Sequence, residues 1–482
     1  MKKIFLIILL SITLSQCQKK GAYQIDNQHL EINDFIWKGM NALYLWKNQV
    51  PDLSDKKFHN QAELNDFLQD FSNPEDLFEH LIYKRDEVDH WSWIVDDYEA
   101  LLKMFQGVRK TTGMRIGLIY EPGSLTNIFA YVKYVIPDSD AAQKGVQRGF
   151  LFRKIAGQQL TVNNYQELLS QDQLDIEWAT WNGNQLVDTG NTSLLEKTVV
   201  SENPIYYKNV YTVGSHKVGY LIYTGFMSNY DSRLNEVFAY FKSENVDKLI
   251  IDLRYNPGGS VETMTYLGSM ITGQFTGQTY LKYQWHPAMQ QWMQQNYPAQ
   301  LTRSFVDRMQ TGEQLNRLMM NDVVFIATKS SASASESLIN CLRPYINVTH
   351  IGTATHGKYT ASVTMFDSPD FSGYNVNKSH KWAMQPIVLK VSNANNESDF
   401  INGLTPDIYQ PEDYFNLGVL GDVTEPLLQA SLNYISTGST TRLHKSSYIF
   451  NEIYYKENPL TDEMYLNKIA NNKIIKEYVT KF

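Results

Sequence analysis

Two apolar runs, each closed by a tight turn and followed by a helix-forming stretch, constrain this chain more than any other feature. DKLIIDLRY (247–255) and DVVFIATK (322–329) have continuous apolar centres, not an alternating pattern. Strands of that kind are buried on both faces, as in sheets covered by helices on each side. The first run enters Asn256-Pro257-Gly258-Gly259 and then a helical pattern over Val261–Ile271. The second enters Ser330-Ser331-Ala332-Ser333 and then a helical pattern over Ala334–Leu342. With a strand over 218–226 and a helix over 230–241, residues 200–435 read as a βαβ-type core. Inside it, residues 278–316 are rich in Gln, Met and Trp and read as an insertion, either a lid or an inert helical excursion.

The flanking segments differ. Residues 31–104 carry helical spacing, as in Phe35, Trp37, Leu43 and Tyr44, then Leu64, Phe67, Leu68 and Phe71. Asn73-Pro74-Glu75-Asp76 is a helix start, with a cap residue before Pro and acids in the first turn. No chemistry is visible there; Trp91 and Trp93 read as packing aromatics, Asp96 and Asp97 as solvated acids. Residues 105–195 turn β-rich, with strands at 113–121 and 128–136 around Pro122-Gly123. Residues 436–482 are rich in Lys and Asn and read as a peripheral extension.

The start of the chain sets an expected compartment. Lys2 and Lys3 precede an apolar run of eleven residues, 4–14, too short to span a hydrocarbon core of ~30 Å. Leu14-Ser15-Gln16-Cys17 follows and resembles a bacterial lipobox. The resemblance implies a signal peptide over 1–16, lipidation at Cys17 and a polar tether over 17–30. The expected location is therefore a Gram-negative-type cell envelope, lipid-anchored and facing the periplasm or outside. The only other cysteine, Cys341, sits in an apolar helical stretch and reads as a small buried hydrophobe. A net charge of −8 without a Lys/Arg block argues against nucleic-acid binding. At 482 residues with 43% hydrophobic content, the chain can build a core without metal or disulfide staples.

The segment VIPDSDAAQKGVQRGFLFRKIAGQQL (135–160) resembles part of a PDZ domain, with Phe150 where those domains usually carry Asp. Such a domain adds an extended chain end to a sheet edge. The resemblance implies peptide binding along Gly113, Met114, Arg115 and Ile116, with backbone N–H groups near Gly113 holding a terminal carboxylate.

Two turns carry the expected chemistry. Paired glycines at 258 and 259 leave backbone N–H groups uncovered, and Ser333 sits at a helix N-terminus where negative charge is favoured. Alone, each is also an ordinary turn or helix cap. Thr355-His356-Gly357-Lys358 adds the third motif. Together the three resemble the C-terminal processing peptidases, or tail-specific proteases: serine endopeptidases with a Ser/Lys dyad, a crotonase-like core and an embedded PDZ domain. The resemblance implies an α/β multidomain fold with an N-terminal helical domain. It implies Ser333 as nucleophile, Lys358 as base, and an oxyanion hole from Gly258 or Gly259 with the amide of Ala334. Glu336 and Ser362 are supporting residues; relatives often carry Gln where Ser362 stands.

A serine hydroxyl needs a base, and a lysine at its ordinary pKa of ~10.4 is protonated at neutral pH. Lys358 is therefore expected in a dry site with no carboxylate close by. A Ser-His pairing with His356 or His350 is the rival dyad. The resemblance implies protein or peptide substrates taken by their C-termini, and no cofactor: the sequence has no HExxH, CxxC or phosphate-binding loop. A catalytically retired, ligand-binding lipoprotein is the alternative function. Acyl-CoA chemistry on the same core fits neither the PDZ-like piece nor the secretion signal.

Overall fold

The computed structural model describes residues 27–439, 452–453, 455, 462–466 and 472–479. The expected signal peptide, Cys17 and most of the tether lie outside these residues. No helix among the described residues is long and apolar enough to cross a membrane.

The two apolar runs form the centre of a six-stranded sheet. Its order is Ile205–Val213, His216–Tyr223, Lys248–Asp252, Asp322–Ala327, Asn347–Gly352, Ile408–Tyr409. The first pair is an antiparallel hairpin and every later pair is parallel. Alternate residues serve two cores. Leu221, Leu249, Ile251, Val323 and Phe325 pack with the helices Asp231–Ser243, Val261–Ile271 and Ala334–Leu342. Tyr220, Ile222, Ile250, Val324 and Ile326 pack under the helix Pro426–Thr437. Burial on both faces is why the runs lack alternation.

The N-terminal helices Asn27–Leu43, Gln61–Leu68 and Pro74–His80 start as their sequences dictate. The Asn60 side chain accepts from the amides of Ala62 and Glu63, and Asn73 caps the third helix ahead of Pro74. Their apolar faces have no separate core. Phe35, Ile36, Met40 and Leu43 are continuous with the core on one face of the central sheet.

A second sheet corrects two expectations. Its order is Gly259–Ser260, Met464–Leu466, Thr360–Val363, Ile387–Asn393, Thr279–Trp285, Thr302–Ser304. The stretch 278–316 is not an insertion: Thr279–Trp285 pairs in register with Ile387–Asn393, and Tyr280, Leu281, Met289 and Met293 are buried. Nor are residues 464–466, within the expected peripheral extension, peripheral. Met464–Leu466 runs parallel to Gly259–Ser260 on one side and to Thr360–Val363 on the other.

The β-rich unit has its own core, built on Leu118, Ile128, Val132, Phe152, Ile155 and Ile176. Its strand Met114–Tyr120 pairs with Ile128–Val135 inside the sheet and takes Glu452–Ile453 on its other edge. A buried charge network ties this unit to the central sheet. Arg254 donates to Asp252 at 2.7 Å and to Glu425 at 2.5 Å. Arg148 of the β-rich unit donates to the Tyr255 hydroxyl at 2.5 Å and to Glu412 at 2.8 Å. Removing one partner of such a network strands the other charges in a dry site. Arg254→Met should therefore lower unfolding free energy by about 3–5 kcal/mol, measured by urea denaturation.

Candidate functional site

Hydroxyls stitch the serine-rich loop onto the glycine turn. Ser331 Oγ donates to the carbonyl of Leu253 at 2.7 Å, Thr328 Oγ1 to that of Arg254 at 2.5 Å, and Ser335 Oγ to that of Asn256 at 2.9 Å. The run of small polar residues thus satisfies turn carbonyls that end the strand Lys248–Asp252. The chain then leaves the loop through Ser333, fully buried at φ +59°, ψ −113°. That left-handed conformation costs a non-glycine residue about 1–3 kcal/mol and is held only by surrounding contacts. Ala334 opens the following helix, where first-turn amides have no intrahelical acceptor. Gly258 abuts the serine: a Cβ there would lie 2.7 Å from Ser333 Cβ and 2.5 Å from the Glu463 carbonyl oxygen. Its amide donates to the Asn256 side chain at 2.9 Å. A Cβ at Gly259 would instead strike the carbonyl of Phe226.

Glu336 organises the other half. One carboxylate oxygen accepts from the amides of Ser333 at 2.8 Å and Lys358 at 2.9 Å. The other accepts from Thr355 Oγ1 at 2.5 Å and the Gly357 amide at 2.7 Å. The backbone nitrogens of Ser333 and Lys358, twenty-five positions apart in the chain, are therefore no farther apart than two hydrogen bonds in series. Burial pushes the Glu336 carboxyl up to about 7, against the pull of these four donors.

Lys358 is fully buried, as expected, but a carboxylate faces it. Its Nζ donates to Glu463 Oε2 at 3.3 Å and stands 5.6 Å from the Trp91 ring centroid. The acid comes from the segment 462–466, which composition alone placed at the periphery. Ser333 Oγ donates to the carbonyl of Asp462 at 2.5 Å. Ser362 does not sit as a simple orienter of the lysine: its hydroxyl donates to Glu463 and accepts from Gln385 Nε2 at 2.9 Å.

Trp91 and Trp93, which read in sequence as packing aromatics, lie against Lys358 and Glu463, and Gln385 carries no sequence signal. Trp93 Nε1 donates to Glu463 at 3.4 Å, and Gln385 is fully buried. No motif marks them, and Trp93 and Gln385 are brought together by the strand pair Trp93–Val95 with Ala383–Gln385.

The histidines are placed differently. His350 is buried with Nε2 3.1 Å from the carbonyl of Ala327, on the central sheet. His356 lies 3.5 Å from Asp462, and burial, opposed by that acid, lowers its pKa. Cys341 is buried and its thiol is pushed up by desolvation, as its sequence context suggested.

The expected peptide-binding strand borders a cavity of about 630 Å³ lined by Thr111, Thr112, Met114, Ile116, Tyr165 and Lys197, and two of its amides already have local acceptors. The amide of Gly113 donates to Thr111 Oγ1 at 3.1 Å and that of Met114 to Thr112 Oγ1 at 3.4 Å. Arg115 is buried and donates to Glu202 at 2.5 Å. Burial works against the Glu202 charge, but Arg115 and Arg109 outweigh it and hold the carboxyl down to about 2. Ile116 lies at the outer edge, among the residues lining a cavity of about 250 Å³ that reaches Gly258 and His356. Among the described residues no group of acids, histidines or cysteines is arranged to hold a metal ion.

A mixed α/β, multidomain architecture with a buried serine on a strand-to-helix turn defines the class. A family model described as peptidase family S41 matches residues 217–410, and one described as the peptidase S41 N-terminal domain matches residues 31–93. Together they span more than half of the sequence, and the chain belongs to peptidase family S41. It is 23% identical over 249 residues to a carboxyl-terminal-processing protease of Picosynechococcus sp., covering 52% of each chain. The match thus spans about half the length of that relative. The fold is similar to that of a putative S41 protease from Bacteroides fragilis, with a TM-score of 0.62, 24% identity, and 84% of this chain and 97% of the other covered. The photosystem II D1 C-terminal processing protease aligns with a TM-score of 0.49 at 16% identity, over 86% of this chain and 99% of that one.

The raised Glu336 carboxyl has a thermodynamic signature. The folded state binds its proton more tightly than the unfolded chain, so its contribution to stability is complete below about pH 4.5 and is lost as pH rises through about 7. Relative to Glu336→Gln, wild type should lose stability between those pH values, by at most about 3 kcal/mol. Paired thermal melts from pH 5 to 8 check it; a difference independent of pH would contradict the assignment.

Proposed function

We propose that this chain is a serine endopeptidase in which Ser333 attacks the peptide carbonyl and Lys358 is the general base. The observation that carries this reading is the Glu336 carboxylate, which gathers the Ser333 and Lys358 amides on one oxygen inside a buried cleft. Lys358 takes the hydroxyl proton, an acyl-enzyme forms on Ser333, and the proton passes to the leaving amine before water releases the acid. The amides of Ala334 and of the Gly258-Gly259 turn, that of Gly258 only on release from Asn256, receive the developing oxyanion. The pinched contact between Gly258 and Ser333 supports that turn as the other wall of the hole.

The β-rich unit acts in this reading as a PDZ-like docking domain, and the core as crotonase-like. Substrates are proteins whose C-terminal ends add to the edge of the strand Met114–Tyr120. The strand pairing of Glu452–Ile453 at that edge supports strand addition, and a terminal carboxylate there would compete with the Thr111 and Thr112 hydroxyls for the amides of Gly113 and Met114. The envelope location rests on the sequence around Cys17.

Cleavage of an unfolded protein tests the chemistry. Ser333→Ala should reduce it to background and Lys358→Ala by about 10²–10⁴-fold, with His356→Ala retaining most activity. Activity surviving in Lys358→Ala but lost in His356→Ala would identify the histidine as base. No cleavage by pure wild type or by a chain relieved of Glu463 would leave the retired binding protein. Cys17→Ser should move the chain from the membrane fraction to the soluble one, read by immunoblot of fractionated cells.

A further inference from the structure

Residues 452–453, 455 and 462–466 touch both places where a substrate would lie. Glu452 and Ile453 pair antiparallel with Ile119 and Leu118, extending the β-rich sheet by one strand. Tyr455 packs against that unit's core beside Ile116 and Tyr165. Residues 464–466 then fill the gap between Gly259–Ser260 and Thr360–Val363, hydrogen-bonded to both. Without them the second sheet would present two facing, unpaired edges, the template that an extended peptide completes. Met464 is fully buried and Tyr465 meets the Phe105 ring at 4.3 Å.

We propose that residues 452–453, 455 and 462–466 are an intramolecular ligand of the edge strand and the cleft, holding the peptidase in an occluded state that an incoming protein segment must displace. Two contacts make the occupied state unreactive. The Ser333 hydroxyl spends its proton on the carbonyl oxygen of Asp462, whereas attack needs the hydroxyl oxygen at the carbonyl carbon with the carbonyl oxygen turned to amide donors. Lys358 is paired with Glu463, and an ammonium bound to a carboxylate has no lone pair to offer. Glu463 in turn is held by Ser362 and Trp93, so the block is built from side chains of three elements. The segment that fits is an acid pair followed by buried apolar residues, Asp462-Glu463-Met464-Tyr465-Leu466. Displacing segments would share that chemistry.

The occlusion rests on the peptidase reading only for its activity readout; occupancy is read by binding. The full chain carrying Glu463→Lys and Met464→Lys sets a cation against Lys358 and another in a dry slot. A fluorescein-labelled peptide of residues 450–468 is titrated against this chain and the unsubstituted one, both with Ser333→Ala, by anisotropy. The substituted chain should bind at least tenfold more tightly, and in the Ser333 background it should cleave unfolded protein at least tenfold faster, with the free peptide inhibiting competitively. Equal affinities for the two chains overturn the inference, even if both cleave. Tighter binding by the substituted chain with no cleavage by either sustains the inference and removes the peptidase reading. If circular dichroism shows the double variant unfolded, Glu463→Ala replaces it, with at least threefold expected on the same two readouts and equality again overturning the proposal. Mass spectrometry that finds purified wild type cut between Asp462 and Glu463 overturns it in favour of self-processing.

Discussion

A single buried carboxylate sets the geometry on which everything else depends. Glu336 accepts from the backbone on both sides of the cleft, so the serine turn and the lysine turn cannot drift independently. Three amide donors and the Thr355 hydroxyl offset the cost of placing a charge among apolar neighbours. The carboxylate also steadies the left-handed backbone of Ser333 by fixing its amide. Thr355 extends the hold, since its hydroxyl accepts from the Leu404 amide at 2.6 Å.

Behind this clamp stands a second layer. The Arg254 guanidinium spans Asp252 and Glu425 and anchors the strand end from which the glycine turn departs. Arg148 shares Glu412 with Tyr255, so the β-rich unit and the glycine turn meet on one set of charges. A shift of the β-rich unit would therefore be felt at residues 254–258 before it reached Ser333. The segment after the N-terminal helices adds Trp91 beside Lys358 and Trp93 beside Glu463, and the helices share the core of the central sheet, so the cleft has walls from three parts of the chain.

What the sequence makes legible is local. Continuous apolar runs announce buried strands, paired glycines announce a turn with close approach, and Ser333 and Lys358 stand out by motif and spacing. The helix over Ala334–Leu342 and the cap at Asn73 follow from periodicity and capping chemistry. What escapes is brought together only by tertiary pairing. Gln385 and Trp93 reach the cleft through a strand pair joining residues almost three hundred positions apart, which no local pattern records. The stretch 278–316 was obscured by its Gln and Met content, although TYLKYQW contains an ordinary strand. Average composition after 436 hides the three-residue strand Met464–Leu466 and the buried acids Asp462 and Glu463 among lysines and asparagines. The hydroxyls of Thr111 and Thr112 look inert in sequence and turn out to occupy the very amides assigned to a ligand.

The long reach of the ladder between Ser260 and Tyr465 also bears on how the molecule assembles. Roughly two hundred residues separate the two partners, and loop closure of that size is among the slowest events in forming a sheet. The neighbouring strands of the central sheet are far closer in sequence and cost less loop-closure entropy to pair, so the slot that Met464–Leu466 fills is the costlier one to close, and unfilled it would offer its two edges to any extended stranger.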